Sequence, residues 1–229
     1  MREPAVNRKN AWLALASLVA FSAACQLPAE ATVSGQKAPA VPVAAGGKSD
    51  QSAQEHLYRL NPHPSQGFDV TVKVQGAPGP LVLLGGSARF QATGCSYVVS
   101  SWAGVRAQPE KVVPVNFVRQ DEQTFTGTVY SDHVLDADYY GNGVCHWDMA
   151  GVAVGFSATG NSSEASFSAD MSLSQLQSMK PVTLYYLKRN YGRLGGEDAP
   201  IFGQPTLERV LPEHRNEVFT ITLTAKNLP

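Results

Sequence analysis

Strict two-residue alternation constrains this chain more than any other feature. In "FDVTVKV" (68–74), Phe68, Val70, Val72 and Val74 share one face, and Asp69, Thr71 and Lys73 share the other. "VFTITLT" (218–224) repeats the pattern, with Phe219, Ile221 and Leu223 set against three threonines. Side chains of an extended chain alternate between faces, so both segments are predicted as half-buried strands. "VVPVNFV" (112–118) and "TFTGTVY" (124–130) are predicted as the two arms of a hairpin joined by "RQDEQ". Pro114 lacks a ladder donor, which confines its arm to a sheet edge or a bulge. "PVTLYYL" (181–187) alternates as well. In "CHWDMAGVAVGF" (145–156), Trp147 and Met149 have one parity, and Val152, Val154 and Phe156 have the other. The change of parity near Gly151 predicts a bulge or local twist.

Only "SLSQLQSM" (172–179) reads as a short helix, capped by Ser172 and stopped before Pro181. The fold expected over 56–229 is therefore all-β: one antiparallel β-sandwich with one disulfide and at most one short helix. A small β-barrel is the alternative architecture.

The N-terminus is of a different kind. Arg2, Arg8 and Lys9 precede the apolar "AWLALASLVAF", which is short for a bilayer span and ends in "SAAC" at Cys25. Residues 1–24 are predicted as a signal peptide. Ser22, Ala23 and Ala24 before Cys25 resemble a lipobox, which implies that Cys25 carries lipid. Cleavage after the small residues to a soluble secreted form is the other reading. Gln26 in place of an aspartate implies the outer membrane, facing the periplasm. Residues 25–55, rich in Ala, Pro and Gly and without an aromatic, are predicted as a flexible tether. A chain of that length spans roughly 30 Å.

Without residues 1–24 the chain keeps 15 basic and 18 acidic residues, a net charge of −3. That balance gives no electrostatic footprint for nucleic acid, and membrane contact is expected through the lipid alone. With Cys25 lipidated, Cys95 and Cys145 remain in an oxidising compartment and are expected to form a disulfide.

"DADYYGNGVCHWD" (136–148) concentrates the residues that suggest chemistry. As a calcium loop it fails at its fifth place, Tyr140, and at its twelfth, Trp147. His133 and His146 lack the spacing of a zinc motif. No nucleophile elbow, phosphate loop or dinucleotide fingerprint is present, so no catalytic residue, metal or cofactor is assigned and a non-enzymatic role is expected. Gly141 and Gly143 suit a tight turn. Cys145 and Trp147, two apart, are expected on one strand face, with the indole beside an inter-sheet disulfide. Asp136, Asp138, Tyr139 and Tyr140 are candidate contacts for a protein partner, because tyrosine supplies large rigid area at low entropic cost. The competing reading packs a tyrosine inward and leaves the acids solvated. Tyr185, Arg189 and Tyr191 in "LYYLKRNYGR" form a second candidate contact cluster.

With "FDVTVKVQGAPGP", "FTGTVYSDHVLDADYYGNGVCHWDMAGVAV", "PVTLYYLKRNY" and "GQPTLERVLPE" taken together, the chain resembles a poorly characterised family of proteobacterial lipoproteins with a "DYYGxGVCHW" core. Such families resemble the immunity lipoproteins that accompany antibacterial secretion-system effectors. The resemblance implies a protein partner, a toxic effector acting in the periplasm, that this domain binds and blocks. A non-enzymatic envelope module binding glycan or an outer-membrane assembly is the alternative.

Overall fold

The computed structural model describes residues 57–194 and 200–228. The predicted signal peptide, Cys25 and the whole of the predicted tether lie outside the described residues. Twelve strands are present among them: β1 (Gly67–Gln75), β2 (Val82–Gln91), β3 (Tyr97–Ser100), β4 (Val105–Ala107), β5 (Glu110–Val115), β6 (Phe117–Arg119), β7 (Thr124–Tyr130), β8 (Asp148–Ser157), β9 (Phe167–Ser172), β10 (Val182–Leu187), β11 (Ile201–Phe202) and β12 (Val218–Asn227). One sheet has the order β10-β12-β1-β7-β6 and the other β11-β9-β8-β2-β5; β3 and β4 form a separate hairpin. Every pairing is antiparallel except β11 with β9.

The alternation places the core. Phe68, Val70, Val72 and Val74 of β1 are buried beside Phe219, Ile221, Leu223 and Ala225 of β12. The opposite face of that sheet carries paired threonines, with Thr183 and Thr222 hydroxyls 3.0 Å apart. Aromatic rings join the sheets. Phe125 meets Phe156 at 5.1 Å, and Phe167 meets Phe219 at 5.2 Å. Each side chain buried to this degree contributes about 1.5–3 kcal/mol relative to exposure.

The parity change in β8 has a direct cause. Arg89 of β2 faces Gly151 and Phe90 faces Met149, so Ala150 is the extra residue of a bulge. Met149 and Val152 both reach the core as a result. β8 begins at Asp148 and not at Cys145, since residues 145–147 have only the isolated Ala137–Cys145 bridge.

The expected 112–118 arm is not one strand. β5 pairs with β2 in one sheet, while β6 pairs with β7 in the other, and the chain changes sheets at Asn116. Only 117–119 belong to the predicted hairpin. Pro114 sits in β5, an edge strand, as its missing donor requires. The crossover is held by Phe117, whose ring lies against Gly86 of one sheet and Gly127 of the other.

The single α-helix among the described residues, α1 (Leu173–Ser178), has a capping box between Ser172 and Gln175 and sinks Leu176 into the core. Met179 adopts φ 54° and ends it.

Candidate partner-binding surfaces

Cys95 and Cys145 form the disulfide, 50 residues apart in sequence. The sequence pointed to an inter-sheet bond, but this one does not bridge the two sheets. Cys95 follows β2 and Cys145 precedes β8, and these strands are neighbours whose ladder ends at Gln91 and Asp148. The bond extends that ladder and staples the loops beyond it.

The 136–147 loop is built from its own acids. Asp138 accepts the backbone N–H groups of Tyr140, Gly141 and Asn142 through Oδ1 and that of Gly143 through Oδ2. Gly141 and Gly143 take φ of 72° and 109°, which lets four donors converge on one carboxylate. Burial pushes the Asp138 carboxyl up, but the Gly143, Tyr140, Gly141 and Asn142 donors outweigh it and hold it below the ordinary carboxylate range. Asp136 accepts from the Trp147 backbone N–H at 2.9 Å and lies 2.7 Å from His146 Nδ1.

The tyrosines face inward. The Tyr139 hydroxyl donates to the Leu135 carbonyl, and its ring stands edge-on to Tyr58 and Trp147. Tyr140 shares a hydroxyl hydrogen bond with Tyr58 and stacks on Tyr97, centroids 6.0 Å apart. Burial, the Tyr140 hydrogen bond and the neighbouring phenols push the Tyr58 phenol far above its ordinary range. Trp147 packs on Tyr58 at 4.7 Å and is buried, as is Cys145, whereas His146 and Asp148 are exposed. Asp136 and Asp138 are exposed, and Tyr139 and Tyr140 half-buried, so the loop shows its acids more than its rings.

Among the described residues, the most exposed aromatic lies elsewhere. β3 and β4 are joined by residues 101–104, and Trp102 at this tip is 96% exposed. The hairpin beneath it is fixed. Cys95 anchors its base, Tyr97 is buried against Tyr140, and Arg106 binds the Ser96 hydroxyl and carbonyl at 2.8 and 3.0 Å. The Ser100 hydroxyl accepts the Ala103 N–H. Val98 and Val105 are also exposed. Sequence reasoning passed over "YVVSSWAGVRA" (97–107); its signal was a tryptophan among turn formers between two β-branched runs.

The second predicted cluster is divided. Tyr185 and Arg189 line a cavity of about 220 Å³ between β10 and residues 201–214. Tyr191 does not join them: its hydroxyl donates to the Pro80 carbonyl at 2.8 Å, against Gly79. The two predicted clusters lie at opposite ends of the sandwich. The 131–147 connection leaves at Tyr130, opposite Gly67, whereas Leu187 pairs with Val218, beyond the Gln75 end of β1. β1 alone, at about 3.3 Å per residue, separates them by roughly 25–30 Å.

Among the described residues, no group of three His, Cys, Asp or Glu side chains is placed to hold a metal ion. The fold and its surfaces define an all-β sandwich with one disulfide, a stapled loop and a projecting aromatic hairpin. Comparison with family models, with curated proteins and with solved structures found no match to this chain.

Proposed function

We propose that this chain is an envelope lipoprotein, anchored to the outer membrane through Cys25, whose β-sandwich binds a protein partner in the periplasm. Its role is that of an immunity protein, neutralising an antibacterial secretion-system effector by occupying it. The observation that supports binding is Trp102, 96% exposed on a hairpin tied down by a disulfide and a buried tyrosine. Tryptophan is the residue most enriched among interface hot spots, and a fixed hairpin has little conformational entropy left to lose on association. The lipobox-like stretch before Cys25 and the resemblance to immunity lipoproteins support the location and the kind of partner.

The test is affinity for the product of the adjacent gene, measured with the wild-type chain and with Trp102→Ala. Wild-type binding that weakens about 30-fold or more in the variant supports the reading. No binding by the wild type, or equal binding by both, overturns it. Retention of both proteins on peptidoglycan, with no affinity for the neighbour, transfers the function to glycan recognition. Mass spectrometry of the mature N-terminus tests the anchor, since an unmodified Cys25 would remove it.

A further inference from the structure

The cavity between β10 and residues 201–214 has an apolar floor and a cationic rim. Tyr186, Ile201 and Val210 form part of its lining. Gly203 crosses Tyr186 so closely that a Cβ there would fall 2.6 Å from the ring. Phe202 and Leu211, also lining residues, are 59% and 60% exposed, although neighbouring Ile201 and Val210 pack inward.

The charges are one-sided. Arg189, Arg209 and His214 line the cavity, and among the described residues none of its lining side chains is acidic. Arg189 lies 3.1 Å from His214 Nε2. A guanidinium has only donors, so in this contact the ring nitrogen is the acceptor; His214 Nδ1 lies 3.9 Å from Glu217. Arg209 has no side-chain hydrogen bond or ion pair among the described residues. Its neighbour Glu208 bonds Thr206 and faces Arg215 instead.

We propose that this cavity binds the C-terminal residue of a polypeptide partner, taking a large apolar side chain inside and its α-carboxylate on Arg189 and Arg209. The volume decides the class. Pockets for drug-sized ligands run about 300–1,000 Å³, so about 220 Å³ admits one residue. Within one residue, a polypeptide joins a carboxylate to a large apolar side chain only at its C-terminus. An internal acid beside an apolar residue needs two side chains. The planar forks of two arginines suit a carboxylate. The cavity shares no residue with the Trp102 hairpin, and the proposal does not depend on that hairpin.

The probe is a fluorescein-labelled hexapeptide, Gly-Ser-Gly-Ser-Ala-Leu, with a free C-terminus, titrated into the full-length chain by fluorescence anisotropy. Its C-terminal amide and free N-acetyl-leucine are the other arms. Saturable binding of the acid that falls at least about tenfold on amidation, and about tenfold in Arg209→Gln, is expected. Arg209 is exposed, so its variant keeps the fold, as circular dichroism verifies. Equal binding of acid and amide, or none by either, overturns the proposal. N-acetyl-leucine binding as tightly as the peptide also overturns it, because the site would then serve a small carboxylate.

Discussion

Asp136 and Trp147 are joined by a 2.9 Å hydrogen bond from the Trp147 backbone N–H to the Asp136 carboxylate, and this bond sets where the loop turns toward β8. The same carboxylate lies 2.7 Å from His146 Nδ1. The two interactions differ in worth. The His146 and Asp136 side chains are 77% and 46% exposed, and pairs so open to solvent contribute little. The Trp147 N–H is partly buried and loses its acceptor if Asp136 is removed. Asp136→Ala is expected to cost about 1 kcal/mol, and His146→Ala under about 0.5 kcal/mol, in urea unfolding. Equal costs would move the weight to the histidine.

Closing a 50-residue separation, the Cys95–Cys145 bond should stabilise the domain by about 4 kcal/mol on the chain-entropy model. Cys145→Ser or reduction should lower the urea midpoint accordingly. The loss should show first in the hairpin, because Cys95 lies two residues before β3. Hydrogen exchange over 97–107 and 137–145 resolves the order, and uniform loss across both sheets would contradict it.

Asp138 titrates below its ordinary range in the folded loop. A depressed carboxyl contributes stability that is complete above its unfolded value, about 3.9, and lost as pH falls through the folded value. Amides of Tyr140, Gly141, Asn142 and Gly143 should therefore stay protected from neutral pH down to about 4 and lose protection below it. Asp138→Ala should remove the protection at every pH. A flat profile in the wild type would show that the turn holds without the charge.

Phe117 occupies the seam where the chain changes sheets. A Cβ on Gly86 would come within 2.4 Å of its ring, and one on Gly127 within 2.9 Å. Gly86→Ala and Gly127→Ala are each expected to destabilise by roughly 1–3 kcal/mol through overpacking. Pairing either with Phe117→Leu should recover part of the loss. Thermal unfolding of the single and double variants measures it, and strict additivity would mean that the ring and the glycines do not share this space.

Trp102→Ala should leave unfolding unchanged within about 0.5 kcal/mol, since its side chain is almost wholly in solvent. Its indole emission should be freely quenched by acrylamide, whereas buried Trp147 should be protected. A stability loss comparable to that of a core substitution would give Trp102 a structural role in place of the contact role proposed.

Much of the architecture is local and so was readable in the sequence. Alternation over seven residues defines a strand wherever it packs, which is why β1, β10 and β12 lie where "FDVTVKV", "PVTLYYL" and "VFTITLT" predicted them. The parity change in β8 encoded its bulge, the glycines of the 136–147 loop encoded its positive φ values, and Ser172 encoded the start of α1. The disulfide followed from counting cysteines. Each of these properties depends on dihedral preference or period over a few neighbouring residues. Tertiary structure decided which distant group each side chain meets. It split 112–118 between two sheets, set the disulfide beside one sheet's ladder, turned Tyr139 and Tyr140 onto Tyr58 and Tyr97, and separated Tyr191 from Tyr185 and Arg189. A polar–apolar pattern records that a side chain is to be buried. Its partner is set by strand pairing and sheet packing across tens of residues, and the same long-range packing left Trp102 alone in solvent.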